Sequence, residues 1–487
     1  MNLTFDLIDN RTDLAPTMRT DPSTPPDQQN QMTTEPRRDS GDRILALCPT
    51  ARDRAHFARP DIRRTYNLEL RGTDEATHQV GFDGVQFLTD TIQEIRERPG
   101  ALRAVVGIDD FPACMLAALI AEIFGFPFSS FESLFLCQHK YYSRLRQREA
   151  APEATPRFHV VDTSREPQPS DIPMPFPLFV KPVKSYLSIL ARRLDTFSDL
   201  SRAVAEVPRL APVGQMFDAL VGVSTLDRRF RAVPASALLL EEALSGHQVT
   251  LDGYAYQGQV VPLGVVDSLF FPGTLSFERF EYPSRLPPGV QERMARIAER
   301  VVRHIGLDRT FFNIEFFYRQ EDNSIWIIEI NGRMASQFAP LYRMLDAIDL
   351  YAMQLDMLLG KDPGGTRVWA PGRRRAGVSA SFVLRRFEDG RVTGVPSAED
   401  VRRLHERFPE AFVEILVNEG EKLSDELQDD ESYRYGLVDL CASGWEELER
   451  NFAEAKALLP FTFSPIHPAP LSLPPQVGEG RGGGAES

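Results

Sequence analysis

In residues 325–336, IWIIEINGRMAS, a run of large apolar side chains gives way to Glu329, Asn331 and Arg333 at every second position. Side chains of a strand alternate between its faces, so these three share one face. A second β-rich run, FFNIEFFYRQ, precedes it, and the intervening EDNS supplies turn residues. Folded about Asp322 and Asn323, the two runs form a hairpin in which Glu315 falls opposite Glu329. Opposed like charges destabilise a sheet, and burying them unpaired costs more. A cation between them removes both costs. Glu315, Glu329 and Asn331 are hard oxygen donors of the kind Mg²⁺ takes together with waters and substrate phosphates, with Mn²⁺ as its substitute. Arg333 suits a phosphate or carboxylate gripped through two N–H bonds. The rival reading is a solvated strand face with Glu329 and Arg333 as a surface pair. The flanking FFNI and IWII runs weigh against it.

Cations for a phosphate occur elsewhere. Lys181 stands in LFVKPV, where a proline within a strand-like run points to an edge or a hairpin that turns the lysine into a cleft. An edge lysine that discourages aggregation is the alternative. Lys140, in CQHKYYSRL, reads by itself as a solvated helix residue. The segment LLLEEALSG is an apolar strand entering an acidic, glycine-ended bend. Its backbone at Glu242 and Leu244 can meet an adenine edge, although alone it is only an acidic strand end.

These residues need elements to position them. RILALCPT and LRAVVGIDD read as buried strands, and FPACMLAALIAEIFG as a helix with a glycine just past its end. The spacing predicts a parallel-sheet α/β unit over 43–135. Residues 136–372 mix strand pairs with helices, FPLFVKPVKSYLSILARRL being two strands around a turn in a lid at roughly 140–237. Residues 373–463 hold strands in GVSASFVLRRF and FVEILVN and a closing helix in GWEELERNFAEAKALL. The tails, 1–42 and 464–487, lack apolar periodicity and read as disordered. Gly478, Gly480 and Gly483 formally match a dinucleotide loop, but no strand precedes them and no helix follows. No P-loop pattern and no internal repeat is present.

A chain of 487 residues with 42% hydrophobic and 25% charged content reads as a soluble multidomain protein. Its net charge of −14 argues against nucleic acid as a partner. The first residues carry acids where a secretion signal needs an apolar core. ACMLAALIAEIFGFPF is interrupted by Glu122 and too short to span a bilayer. Cys48, Cys114, Cys137 and Cys441 form no CxxC pair, which argues against a zinc site and for reduced thiols. The expected setting is the cytoplasm, with no membrane partner.

Taken in this order, the segments resemble the ATP-grasp superfamily, in its biotin-carboxylase-like and amino-acid-ligase branch, over roughly residues 43–460. The resemblance implies an α/β (α+β) ATP-grasp fold with an amino-terminal parallel-sheet domain, a lid and a small carboxy-terminal α+β domain. It implies that Lys140 and Lys181 contact ATP phosphates, that Glu241, Glu242, Ala243 and Leu244 frame the adenine, and that Glu315, Glu329 and Asn331 hold Mg²⁺. Arg333 would steady the transferring phosphate or an acyl-phosphate. Two departures stand out: the lid reads KPVKSYLSIL, without glycine and with Tyr186 and Leu187 at its tip, and Gln248 stands where relatives often use an acid for the ribose. The implied activity is an ADP-forming ligase joining a small carboxylate to an amine, as a homodimer by analogy. A biotin-carboxylase-like subunit acting on bicarbonate and a non-catalytic ATP-binding regulator are the alternatives; the first needs a separate carrier, since the chain has no Met-Lys-Met motif. Asp267, Ser276, Phe277 and Arg279 fall where relatives line the substrate cavity, although VVDSLFF reads equally as a core strand. His247, beside the hinge, reads as structural.

Overall fold

Strands β1 (Arg43–Leu47), β2 (Asn67–Arg71) and β3 (Leu102–Val106) form a parallel sheet in the order β2-β1-β3. The computed structural model describes residues 42–466 except 80, 99, 186–188, 365–376 and 426–431. The readings made for residues 1–41, for 467–487 with Gly478, Gly480 and Gly483, and for Tyr186 and Leu187 therefore lie outside the described residues. After β3 comes the expected helix, Ala113–Phe124, closed by Gly125 at φ +70°. Gly107 permits the turn between them, because a Cβ there would lie 2.3 Å from the backbone of Ala113. That turn presents Asp109 and Asp110 at the carboxyl end of the sheet.

Strands β4 (Phe158–Val161), β5 (Leu178–Pro182), β6 (Arg192–Leu194) and β7 (Leu238–Glu242) make an antiparallel sheet ordered β4-β7-β5-β6. Lys181 and Pro182 thus belong to an inner strand, and of the two readings offered for them the hairpin holds while the edge does not. The β6 ladder ends at Val180, so Pro182 removes no donor from that side.

The largest sheet is antiparallel throughout. It comprises β8 (His247–Tyr256), β9 (Gln259–Phe270), β10 (Phe277–Tyr282), β11 (Thr310–Arg319), β12 (Ser324–Asn331), β13 (Val378–Arg386), β15 (Phe412–Ile415) and β16 (Tyr433–Ala442). Their order is β12-β11-β8-β9-β10-β13-β16-β15, while β14 (Arg391–Gly394) pairs with β17 (Thr462–Ser464). The carboxy-terminal strands β13, β16 and β15 therefore extend the sheet that carries the hairpin. On one face Val249, Leu251, Phe312, Ile314, Ile327 and Ile330 pack with Met294, Ala298, Val301 and Val302 of the helix Pro288–Ile305. Alternation sends Gln248, Thr250, Asp252, Asn313, Glu315, Glu329 and Asn331 to the other. Among the described residues no helix is long and apolar enough to cross a membrane.

Where the helix Ala51–Phe57 meets the carboxy-terminal strands, His56 is stacked between Tyr351 at 4.2 Å and Phe412 at 5.2 Å, and among the described residues neither ring nitrogen has a hydrogen-bond partner. Burial, with Arg52 and Arg59 nearby, pushes the imidazole down to about 3. The unfolded chain takes up a proton near pH 6.5 that the folded one refuses, so stability is lost as pH falls from there toward 3. His56→Phe keeps the stack and removes the titration. Its melting temperature is expected to fall less between about pH 7.5 and about pH 5 than that of the parent, as thermal melts at the two pH values would show.

Candidate active site

Glu315 pairs directly with Glu329 across the hairpin, and Asn313 with Asn331. A bulge follows Glu315, so that Phe316 pairs with Ile327 and the register nearer the turn is shifted by one. It lets Phe316 and Ile327 stay in the core while the carboxylates remain opposed on the polar face. Burial and the neighbouring Glu329 push the Glu315 carboxyl up to about 7, against the pull of Arg333, Lys181 and Lys140. Gln248 Nε2 donates to Glu315 Oε2 at 3.1 Å, and Lys140 Nζ lies 3.4 Å from Glu329 Oε2. Asn331 donates through Nδ2 to Asn313 Oδ1 at 2.9 Å, so its nitrogen is the occupied end. Among the described residues no group of three or more His, Cys, Asp or Glu side chains gathers into a metal nest. Two opposed carboxylates and an amide remain, one carboxylate held toward its proton by burial and by the other. That donor set fits a hard divalent ion that brings its own waters and phosphate oxygens.

Beside the hairpin a buried ion network fixes Lys181. Its Nζ lies 2.9 Å from Glu241 Oε2 and donates to the Ile328 carbonyl at 3.1 Å. Arg144 grips the same carboxylate, Nε to Oε1 at 2.5 Å and Nη2 to Oε2 at 3.1 Å, and also donates to Ile328 at 2.8 Å. Burial alone would raise Glu241, but Arg144 and Lys181 pull its carboxyl down to about 2. Of the four residues expected around adenine, Glu241 therefore points its side chain at two cations, and Glu242 pairs with Arg157 at 3.2 Å. Ala243 and Leu244 lie past the last pairs of both β7 ladders.

Arg333, just beyond β12, sits with Nε 3.5 Å from Asp110 Oδ1. The other oxygen of Asp110 lies 3.2 Å from Lys184 Nζ, which also donates to Gln138 Oε1 at 2.8 Å and rests over Phe111 at 4.7 Å. Burial would raise Asp110, but Lys184, Arg333 and Lys140 hold it below the usual carboxylate range. Sequence reasoning missed Asp110, Lys184, Arg144 and Asn313. Signals existed for three: Asp110 ends VVGIDD at the carboxyl end of a parallel strand, where ligand crevices form, Lys184 stands three residues after Lys181 in the same KPVK run, and Asn313 faces Asn331 by the pairing that sets Glu315 against Glu329.

The residues suggested for a substrate cavity are mostly engaged elsewhere. Asp267 is buried in β9, accepting from Ser284 Oγ and Arg285 N, and lies 3.1 Å from His247 Nε2. Ser276 shares a hydrogen bond with Ser432, and Arg279 pairs with Glu281. For Asp267 the core-strand reading prevails.

Residues 174–340 match the family model of the ATP-grasp domain. Among solved structures, an L-amino acid ligase from Bacillus licheniformis superposes with a TM-score of 0.66 at 16% identity, covering 87% of this chain and 99% of that one. Phosphoribosylglycinamide synthetase from Anaerococcus prevotii gives 0.58 at 11% identity, over 87% and 100% of the two chains. The biotin carboxylase domain of 2-oxoglutarate carboxylase from Hydrogenobacter thermophilus gives 0.59 at 13%, over 87% and 91%. No curated protein matches the chain. With the opposed carboxylates of its hairpin, the parallel sheet before them and the four-stranded sheet above them, the chain carries an ATP-grasp domain and has the fold of the ATP-grasp superfamily.

Proposed function

We propose that the protein is an ADP-forming, ATP- and Mg²⁺-dependent ligase that joins a small carboxylic acid to an amine, working in the cytoplasm as a homodimer. The observation that carries this is one half-buried face on which Glu315, Glu329 and Asn331 offer oxygen donors, with Lys140 on Glu329, Lys181 tied to the adjacent backbone and Arg333 next along the chain. The similar fold of an L-amino acid ligase supports it.

In this reading a carboxylate oxygen of the acid attacks the γ-phosphorus, and the bond to the bridging oxygen breaks with its electron pair leaving on ADP. The amine nitrogen then attacks the acyl-phosphate carbon, inorganic phosphate departs, and the ammonium proton goes to solvent. Mg²⁺ or Mn²⁺ held by Glu315, Glu329 and Asn331 supplies charge neutralisation at the phosphates. Lys140 and Lys181 neutralise the remaining phosphate charge, and Arg333 orients the transferring group. Ala243 and Leu244, past the β7 ladders, offer backbone to the adenine with Glu241 and Glu242 framing it, and Gln248 reaches the ribose. Catalysis is positioning and electrostatics, with no nucleophilic side chain required.

The test is product analysis with ATP, Mg²⁺ and pooled carboxylic acids and amines. Acid-dependent ADP and phosphate are expected. AMP would overturn the acyl-phosphate route, label transfer from bicarbonate to a biotinyl carrier would favour the carboxylase alternative, and ATP binding without turnover would favour a regulator.

Asp110 is the positioning residue for Arg333. Asp110→Asn is expected to lower kcat/KM for the acid about 10- to 100-fold, the usual effect of removing an orienting partner, while the melting temperature moves by only a few degrees. A kcat/KM within twofold of the parent would show that Arg333 needs no tether.

A further inference from the structure

Ser268, on β9, is 4% exposed, and its hydroxyl has no hydrogen-bond partner among the described residues. Buried hydroxyls ordinarily find partners, and one left without is costly. Its neighbours obey the rule: Ser284 donates to Asp267, and Ser381 accepts from Gln337 at 3.1 Å. A buried hydroxyl left without a partner between satisfied serines is what a ligand contact leaves in the free protein.

Its place in the sheet says which ligand. One step beyond the Val249–Asp267 pair, Ser268 lies across from Gln248, whose amide is bonded to Glu315, and on its other side it pairs with Phe280. The hydroxyl therefore shares the face of Gln248 and the oxygen donors, two strands away from Glu315. Phe270, two residues on, shares its face. A bulge between Phe277 and Arg279 brings Phe277 and Phe280 to that face as well. The rings run in sequence: Phe270 and Phe277 at 4.6 Å, Phe277 and Phe280 at 4.8 Å, Phe280 and Phe338 at 5.1 Å. Phe338 lies five residues after Arg333 and packs in one core with Met334. Phe270 and Phe277 are only half-buried. With Arg333 five residues before Phe338, this face thus offers one unpartnered hydroxyl and an aromatic wall.

We infer that the acid is an aromatic carboxylic acid bearing a hydroxyl or amino substituent, its carboxylate toward Arg333, its ring against Phe277 and Phe280, and its substituent on Ser268 Oγ. A further ring extends the existing stack, and a serine hydroxyl both donates and accepts, so either substituent satisfies it. The inference rests on the ligase reading.

ADP formation tests it, with one amine pool and three acids: a hydroxylated aromatic acid, its unsubstituted counterpart and a straight-chain acid of equal carbon number. The expected order of kcat/KM is hydroxylated, unsubstituted, aliphatic. Ser268→Ala is expected to reduce kcat/KM for the hydroxylated acid about tenfold, mainly through KM, and to leave the unsubstituted one within twofold, as for one uncharged hydrogen bond. Phe277→Ala should weaken both aromatic acids and spare the aliphatic one. Because the hydroxyl bonds nothing among the described residues, Ser268→Ala should melt no lower than the parent. Equal losses for both aromatic acids, a preference for the aliphatic acid, or a lower melting temperature would each overturn the inference. ADP formed with aliphatic acids alone sinks it and spares the ligase reading; no ADP with any carboxylic acid sinks both.

Discussion

Glu329→Gln is expected to cut acid-dependent ADP formation by about three orders of magnitude and leave the protein folded. The change keeps the shape of the side chain and removes one of two charges facing each other across the hairpin. On the proposed reading, a divalent ion held by Glu315, Glu329 and Asn331 would lose a charged ligand, and the Mg²⁺ concentration for half-maximal rate should rise with the loss. Lys140, now facing an amide, no longer has its 3.4 Å charge partner. The free fold gains, because Glu329 is a main cause of the elevated Glu315 carboxyl and its repulsion disappears. Rates and Mg²⁺ titration beside a thermal melt separate the two effects. Activity within tenfold of the parent would remove Glu329 from the metal set. Lost activity with a melting temperature lowered by more than a few degrees would make the residue a structural one.

Glu241→Ala is expected to produce the largest stability loss of any substitution near the site. The carboxylate lies between Arg144 and Lys181, whose side chains are only 2% and 7% exposed. Taking it away strands two buried cations, and breaking a buried pair this way costs about 3–5 kcal/mol. For a chain of this size the melting temperature should drop by about 3–5 °C. The carboxyl is pulled down to about 2, so the parent keeps this contribution above the ordinary carboxylate range and loses it as pH falls through that range toward 2. The variant has nothing there to lose, and the gap between the two melting curves should narrow in acid. Replacing Glu241, Arg144 and Lys181 together by apolar residues of similar volume should recover most of the stability and none of the activity, because the cost comes from unpaired charge. A Glu241→Ala protein that melts within about 2 °C of the parent would show the cations to be solvated.

Local pattern made the hairpin legible. Two apolar runs with period-two polar interruptions, joined by EDNS, are enough to bring Glu315 and Glu329 together on one hairpin, because alternation and a short turn are local. The same holds for the parallel strands β1 and β3 and for the helix that ends at Gly125, where periodicity and a capping glycine lie within a few residues of what they specify. The shifted register nearer the turn escaped, since a bulge depends on which side chains the core accepts.

The rest was decided in three dimensions. Arg144 reaches Glu241 across 97 residues and Ile328 across 184, and Lys184 reaches Asp110 across 74. No periodicity links such positions, because their meeting depends on how separate sheets pack and on which charges must be neutralised once water is excluded. Packing likewise turned Lys140 from an expected solvated residue into the partner of Glu329, committed Asp267 to the core, and joined β13, β16 and β15 to the sheet of the hairpin. By itself the sequence determined which face of the hairpin Glu315, Glu329 and Asn331 share, since that is a local consequence of alternation. Only the tertiary structure decided which distant charges hold them in place, because a buried charge takes whatever partner the fold brings within reach.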